Sequence, residues 1–168
     1  MEIMVWPPGN LSWNGNTFRC ALGRSGVGAE KKEGDGVTPV GRFPLRRVMY
    51  RSDRLEPPKT ALEVLALGPG NGWCDDPEDE SYNRLILLPF SGSHETLWRQ
   101  DHVYDVIVEL GYNDDPVKPG LGSAIFLHVA KPDYGPTEGC VALGLEDLLA
   151  LLEQCGETAM LTVAPSPP

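Results

Sequence analysis

The run Ala124-Ile-Phe-Leu-His128, followed by Thr137-Glu-Gly-Cys140-Val-Ala-Leu143, decides how this chain is read. The first segment is apolar up to its histidine. Extended to Ser123–Ala130 it has the composition of a strand buried on both faces. The second is a small-residue turn that holds a cysteine shortly before a helical pattern. His128 and Cys140 are twelve residues apart. A thiolate, not a thiol, is the attacking species, so a nucleophilic cysteine requires a base or a cation close by. A strand-borne imidazole facing a turn-borne thiol supplies one, which points to cysteine acyl-transfer chemistry.

Three features single out Cys140 among Cys20, Cys74, Cys140 and Cys155. Gly139 permits a sharp turn that aims peptide N–H groups at one point. The helix expected from Gly144–Leu145 brings a positive end nearby. His128, on a rigid strand, can take the thiol proton and return it to a leaving amine. Cys20, Cys74 and Cys155 read as ordinary buried cysteines.

Outward from this segment the chain reads as mainly β. It has 168 residues, with 19 glycines and 16 prolines, about a fifth of the total. That is turn-rich but below the level of disorder. The length fits one domain spanning 1–168, with 165–168 as a frayed tail. Strands are expected at Thr17–Leu22, Arg42–Tyr50, Leu85–Leu88, Val103–Val108 and Thr158–Val163, with Val103–Val108 central. Pro44 places its strand at an edge or a bulge. One helix is expected, with Leu145, Leu148, Leu149, Leu152 and Cys155 on its apolar face and Gly156 just past its end.

The net charge of −10 excludes the basic footprint that nucleic acids and anionic membranes require. The cysteines lack CxxC spacing, so neither a disulfide framework nor a zinc site is expected. His94 and His102 lack a third ligand, and Asp75–Glu80 lacks EF-hand spacing, so no metal or other cofactor is expected. Met1–Trp6 has no basic n-region and Pro7-Pro8 ends its apolar run, which predicts a cytoplasmic protein.

His128 with Thr137-Glu-Gly-Cys140-Val resembles the S/T-x-G-C-[IV] signature of the L,D-transpeptidase catalytic-domain (YkuD-like) family. Gly36-Val-Thr-Pro-Val-Gly-Arg-Phe43 resembles that family's T-P-x-G-x-[FY] segment, and the two elements stand in the family's order. The resemblance implies a curved sheet or β-sandwich with a C-terminal helix next to the catalytic cysteine. It implies Cys140 as nucleophile, His128 as base, Gly139 and Thr137 in the turn, and a peptidoglycan stem peptide as substrate. Cleavage would fall between meso-diaminopimelate and D-alanine.

Two positions depart from the family pattern. Glu138 replaces a common second histidine, and Ala142 replaces a common arginine. Another cation must then bind the substrate carboxylate, and Arg84 and Arg99 are the candidates, with Tyr82 and Trp73 beside Arg84. A cytoplasmic location favours L,D-carboxypeptidase action in muropeptide recycling. L,D-transpeptidation is the alternative, a non-catalytic muropeptide-binding module another, and a histidine metallohydrolase the remotest.

Overall fold

The computed structural model describes all of residues 1–168. Its strands are β1 (Glu2–Trp6), β2 (Asn10–Trp13), β3 (Asn16–Ala21), β4 (Val27–Gly28), β5 (Thr38–Pro39), β6 (Gly41–Tyr50) and β7 (Glu63–Ala66). They continue with β8 (Asn71–Cys74), β9 (Leu85–Leu87), β10 (His94–Thr96), β11 (Val106–Leu110), β12 (Phe126–Val129) and β13 (Val141–Leu143). The helix α1 (Leu145–Gln154) and β14 (Met160–Val163) complete the chain.

The main sheet runs β11-β12-β13-β3-β2-β1-β14-β6-β7, and β11 also pairs with β6. The ladder therefore curls back on itself, and the mainly β, curved architecture follows. Hydrophobic alternation explains which way each strand faces. Val106 and Val108, Leu127 and Val129, and Val141 and Leu143 all enter one large interior core. The α1 stripe of Leu148, Leu151 and Leu152 packs into the same core.

The intervening residues Ile107, Phe126 and Cys140 point the other way, into a smaller cluster with Met49, Trp73, Leu97 and Tyr104. That cluster lies under a separate three-stranded sheet, β10-β8-β9. The outer face of β11-β12-β13 is thus roofed by residues inserted between β7 and β11. The candidate cysteine sits in this second layer.

Pro44 does not mark an edge. The long strand β6 pairs with β14, β7 and β11. Its register against β11 shifts by a bulge between Val108 and Leu110, next to Leu45. The bulge accommodates the proline neighbourhood where a regular ladder would demand its missing donor. Cys155 caps α1 and is extended, so the helix ends without a left-handed glycine.

Candidate active site

Parallel pairing of β12 with β13 sets Leu127 opposite Val141 and His128 opposite Ala142. Because side chains alternate, His128, Ala142, Phe126 and Cys140 share the outer face of neighbouring strands. His128 and Cys140 line one cavity of about 450 Å³. The parallel β12–β13 pairing brings the two to this cavity.

The imidazole is fixed by a backbone group. His128 Nδ1 lies 2.9 Å from the Val129 carbonyl oxygen, a bond only an Nδ1–H can donate. The neutral ring then carries its lone pair on Nε2. The Tyr104 ring packs edge-on against it at 5.4 Å. Burial presses the His128 pKa down to about 4, against the partly offsetting pull of the Val129 bond. Burial, followed by the charge of Glu95, pushes the Cys140 thiol up to about 12. At rest the cavity therefore holds a neutral thiol and a neutral imidazole, with the thiol proton directed at the Ala124 carbonyl, and the proton moves to the ring only as the thiol attacks.

The thiol is held by backbone on both sides. Cys140 Sγ donates to the Ala124 carbonyl at 3.2 Å and accepts from the Phe126 N–H at 3.4 Å. Ala124 adopts a left-handed φ of 53°. Its N–H donates to Asn83 Oδ1 at 3.0 Å, and the same oxygen accepts from Trp73 Nε1 at 2.9 Å. Asn83 Nδ2 donates in turn to the carbonyls of Tyr112 and Asn113. This buried side chain was missed in sequence, where Tyr82-Asn-Arg84 drew attention only to its neighbours. Replacing Asn83 with alanine is expected to cost ~2–4 kcal/mol by orphaning buried donors. A thermal melt of N83A checks this, and slower acylation of its Cys140 would show the thiol displaced.

The turn that carries the cysteine is held by the Thr137 hydroxyl. Thr137 Oγ1 donates to the Cys140 carbonyl at 2.7 Å and accepts from the Gly139 N–H at 3.1 Å. Gly139 has φ 134°, and a Cβ there would lie 2.9 Å from the Val37 carbonyl oxygen. Its N–H is already committed to Thr137. The Cys140 N–H makes no bond within the protein and is the free donor for an oxyanion. The helix end contributes less than its sequence position suggested. Val141–Leu143 are extended, so about 10 Å of strand separates Cys140 from α1.

The two sequence elements of the resemblance meet through Gly23. Its N–H donates to Thr38 Oγ1 at 2.8 Å, and it bridges to Thr137. The Arg24 N–H donates to the Thr137 carbonyl at 2.8 Å. Lys31, whose side chain is almost fully buried, reaches the same region. Its ammonium donates to Asp35 Oδ1 at 2.7 Å and lines the cavity near Gly139.

Of the remaining candidates, Arg99 and Glu138 line the cavity. Arg99 holds Asp101 through two bonds and stays partly exposed. Glu138 is exposed and pairs with Arg24 at 2.9 Å. Arg84, Tyr82 and Trp73 are corrected: none lines the cavity. The Arg84 guanidinium bonds the carbonyls of Asn83 and Asp114. Tyr82 donates to Glu33 at 2.7 Å and accepts from the Gly122 N–H, while Trp73 supports Asn83. These three shape the loop before β12 and leave Arg99 as the arginine at the site. His94 bonds the Gly92 carbonyl and His102 bonds Asp105, on separate stretches of chain.

A family model described as YkuD, L,D-transpeptidase catalytic domain, matches residues 3–163. Among solved structures, the helical cell shape determining protein Pgp2 from Campylobacter jejuni is similar, with a TM-score of 0.50 at 15% identity. That match covers 99% of this chain and 48% of the other. A single-residue variant of the same protein matches with a TM-score of 0.49 at 16% identity, covering 99% and 47%. The chain spans about half the length of the solved structures it matches. At such identity the likeness concerns the fold. No curated protein matches the chain in sequence.

Proposed function

The chain belongs to the family of YkuD L,D-transpeptidase catalytic domains, and from that premise we propose an L,D-carboxypeptidase acting on soluble peptidoglycan stem peptides in the cytoplasm. The observation that carries the chemistry is the meeting of Cys140 and His128 in one cavity, with the ring's Nε2 left bare.

In this reading Cys140 Sγ attacks the carbonyl of the diaminopimelate residue as His128 Nε2 takes the thiol proton. The carbonyl oxygen becomes an oxyanion facing the free Cys140 N–H; one such donor is worth ~3 kcal/mol. Collapse breaks the C–N bond, the proton passes from His128 to the leaving D-alanine amine, and a thioester remains. Water, deprotonated by His128, then releases the acid and the thiol. Arg99 binds the substrate carboxylate. Its partial exposure leaves donors reachable from the cavity beside Asp101.

Mass analysis of a tetrapeptide stem, incubated with and without an added D-amino acid, tests the assignment. Loss of one D-alanine in both cases is expected. Exchange of the terminal residue would instead establish transpeptidation, and recovery of the protein from the periplasm would overturn the recycling setting.

A further inference from the structure

The cavity contains a carboxylate that the acyl-transfer steps leave unused. Glu95, on β10, lines the same space as Cys140 and His128. One of its oxygens accepts from the Tyr104 hydroxyl, and its other oxygen has no protein donor. No lysine or arginine pairs with it directly: Arg99, whose charge acts on Glu95 from farther off, is bonded to Asp101, and Lys31 is bonded to Asp35. A carboxylate taken out of water without a cationic partner is costly, and it is usually neutralised or paired.

We propose that Glu95 is a specificity-determining residue that receives an ammonium group on the substrate, and that this pairing helps to activate Cys140. The ammonium is the one on the side chain of the attacked residue in the stem peptide, an assignment that rests on the acyl-transfer reading of the site. Three observations converge on it. The carboxylate lines the nucleophile's cavity and has one oxygen without a protein donor. Burial raises its pKa, so its charge is held at a cost that a bound cation relieves. Among charged groups, Glu95 also acts most strongly against ionisation of Cys140. An ammonium docked on Glu95 cancels that opposition when the thiol must give up its proton. Recognition and activation are then coupled, and a neutral analogue loses both.

The probes are two methanethiosulfonates, one bearing a trimethylammonium group and one neutral, with modification of Cys140 followed by intact mass against a C140A control. The ratio of cationic to neutral rates is expected to fall about fivefold or more in Glu95→Gln, because a charge within the cavity is replaced by an isosteric amide. An unchanged ratio overturns the proposal. In parallel, the stem tetrapeptide is compared with its side-chain N-acetylated form. Wild type is expected to prefer the free amine in kcat/KM, and E95Q to lose the preference while still turning over the acetylated peptide.

If neither peptide reacts but the reagent ratio falls, the acyl-transfer assignment fails and the cation site stands. Should E95Q not fold, wild type alone decides. Its ratio must exceed that of free cysteine and decline with added salt; no excess overturns the proposal.

Discussion

Replacing Cys140 with alanine is expected to reduce turnover of the stem peptide to background, a loss of about 10⁴-fold or more, without unfolding the protein. The side chain is small, and its removal costs two weak sulfur contacts to Ala124 and Phe126. Far-UV circular dichroism should therefore superpose on wild type. A carbapenem adduct should appear by intact mass on wild type and be absent from C140A. If wild type forms no adduct and turns over no peptide, the site is a binding module. His128→Gln retains the nucleophile but removes the base, so it should lower kcat by ~10²–10⁴.

The same pair sets a distinctive pH profile. The base form of His128 is the neutral ring, and its pKa lies at about 4. kcat/KM should thus hold down to about pH 5 and fall only as the medium approaches pH 4. The thiol, at about 12, should show no inflection near the ordinary cysteine value of ~8.5 when alkylated with iodoacetamide. Stability follows with a defined sign. Between pH 6.5 and about 4 the unfolded chain binds a proton that the folded imidazole refuses. His128 therefore adds to stability above pH 6.5 and its contribution declines as acid is added through that window. H128Q should flatten this part of the stability curve.

What could be read from sequence was what local pattern encodes. Strong apolar runs located β12, the first part of β11 and α1, and the Thr137–Cys140 turn was legible because its hydroxyl and glycine have fixed uses. The hairpin between β2 and β3 was not among the expected elements, although Asn14-Gly15, with φ values of 48° and 77°, forms the turn that hairpins favour. The roof of the site was legible only at β9, expected as Leu85–Leu88. β8 and β10 are four and three residues long, too short for alternation to show, and the stretch is broken by acidic and glycine-rich turns. Glu95, Arg99 and Tyr104 come from this region or its exit, so part of the cavity depends on tertiary placement. Asn83 shows the same limit: its four bonds join segments up to 41 residues away. Arg84 looked better placed beside its aromatic neighbours, yet Asn83 is the residue whose short amide fits the buried left-handed position at φ 57°.

The strongest structural test lies at a glycine outside the signature of the catalytic turn. Gly23→Ala is expected to destabilise the protein by about 3 kcal/mol or more and to disable Cys140 with it. A Cβ at this position would sit 2.2 Å from the Gly36 carbonyl oxygen, 3.0 Å from the Thr38 nitrogen and 3.1 Å from the Gly139 Cα. All three are backbone atoms, so no side-chain rotation can relieve the clash. Relief requires separating the Gly36–Thr38 loop from the turn that carries the nucleophile. That movement would break the Gly23 N–H bond to Thr38 and strain the Arg24 bond to the Thr137 carbonyl. Gly156→Ala supplies the contrast, since its added methyl meets nothing within 4 Å and its φ is not in the left-handed range. It should be neutral or slightly stabilising. Chemical denaturation of both variants, with the Cys140 acylation rate measured on the folded fraction, separates loss of stability from loss of geometry. If G23A melts like G156A and acylates at the wild-type rate, the two sequence elements are not locked together through this contact.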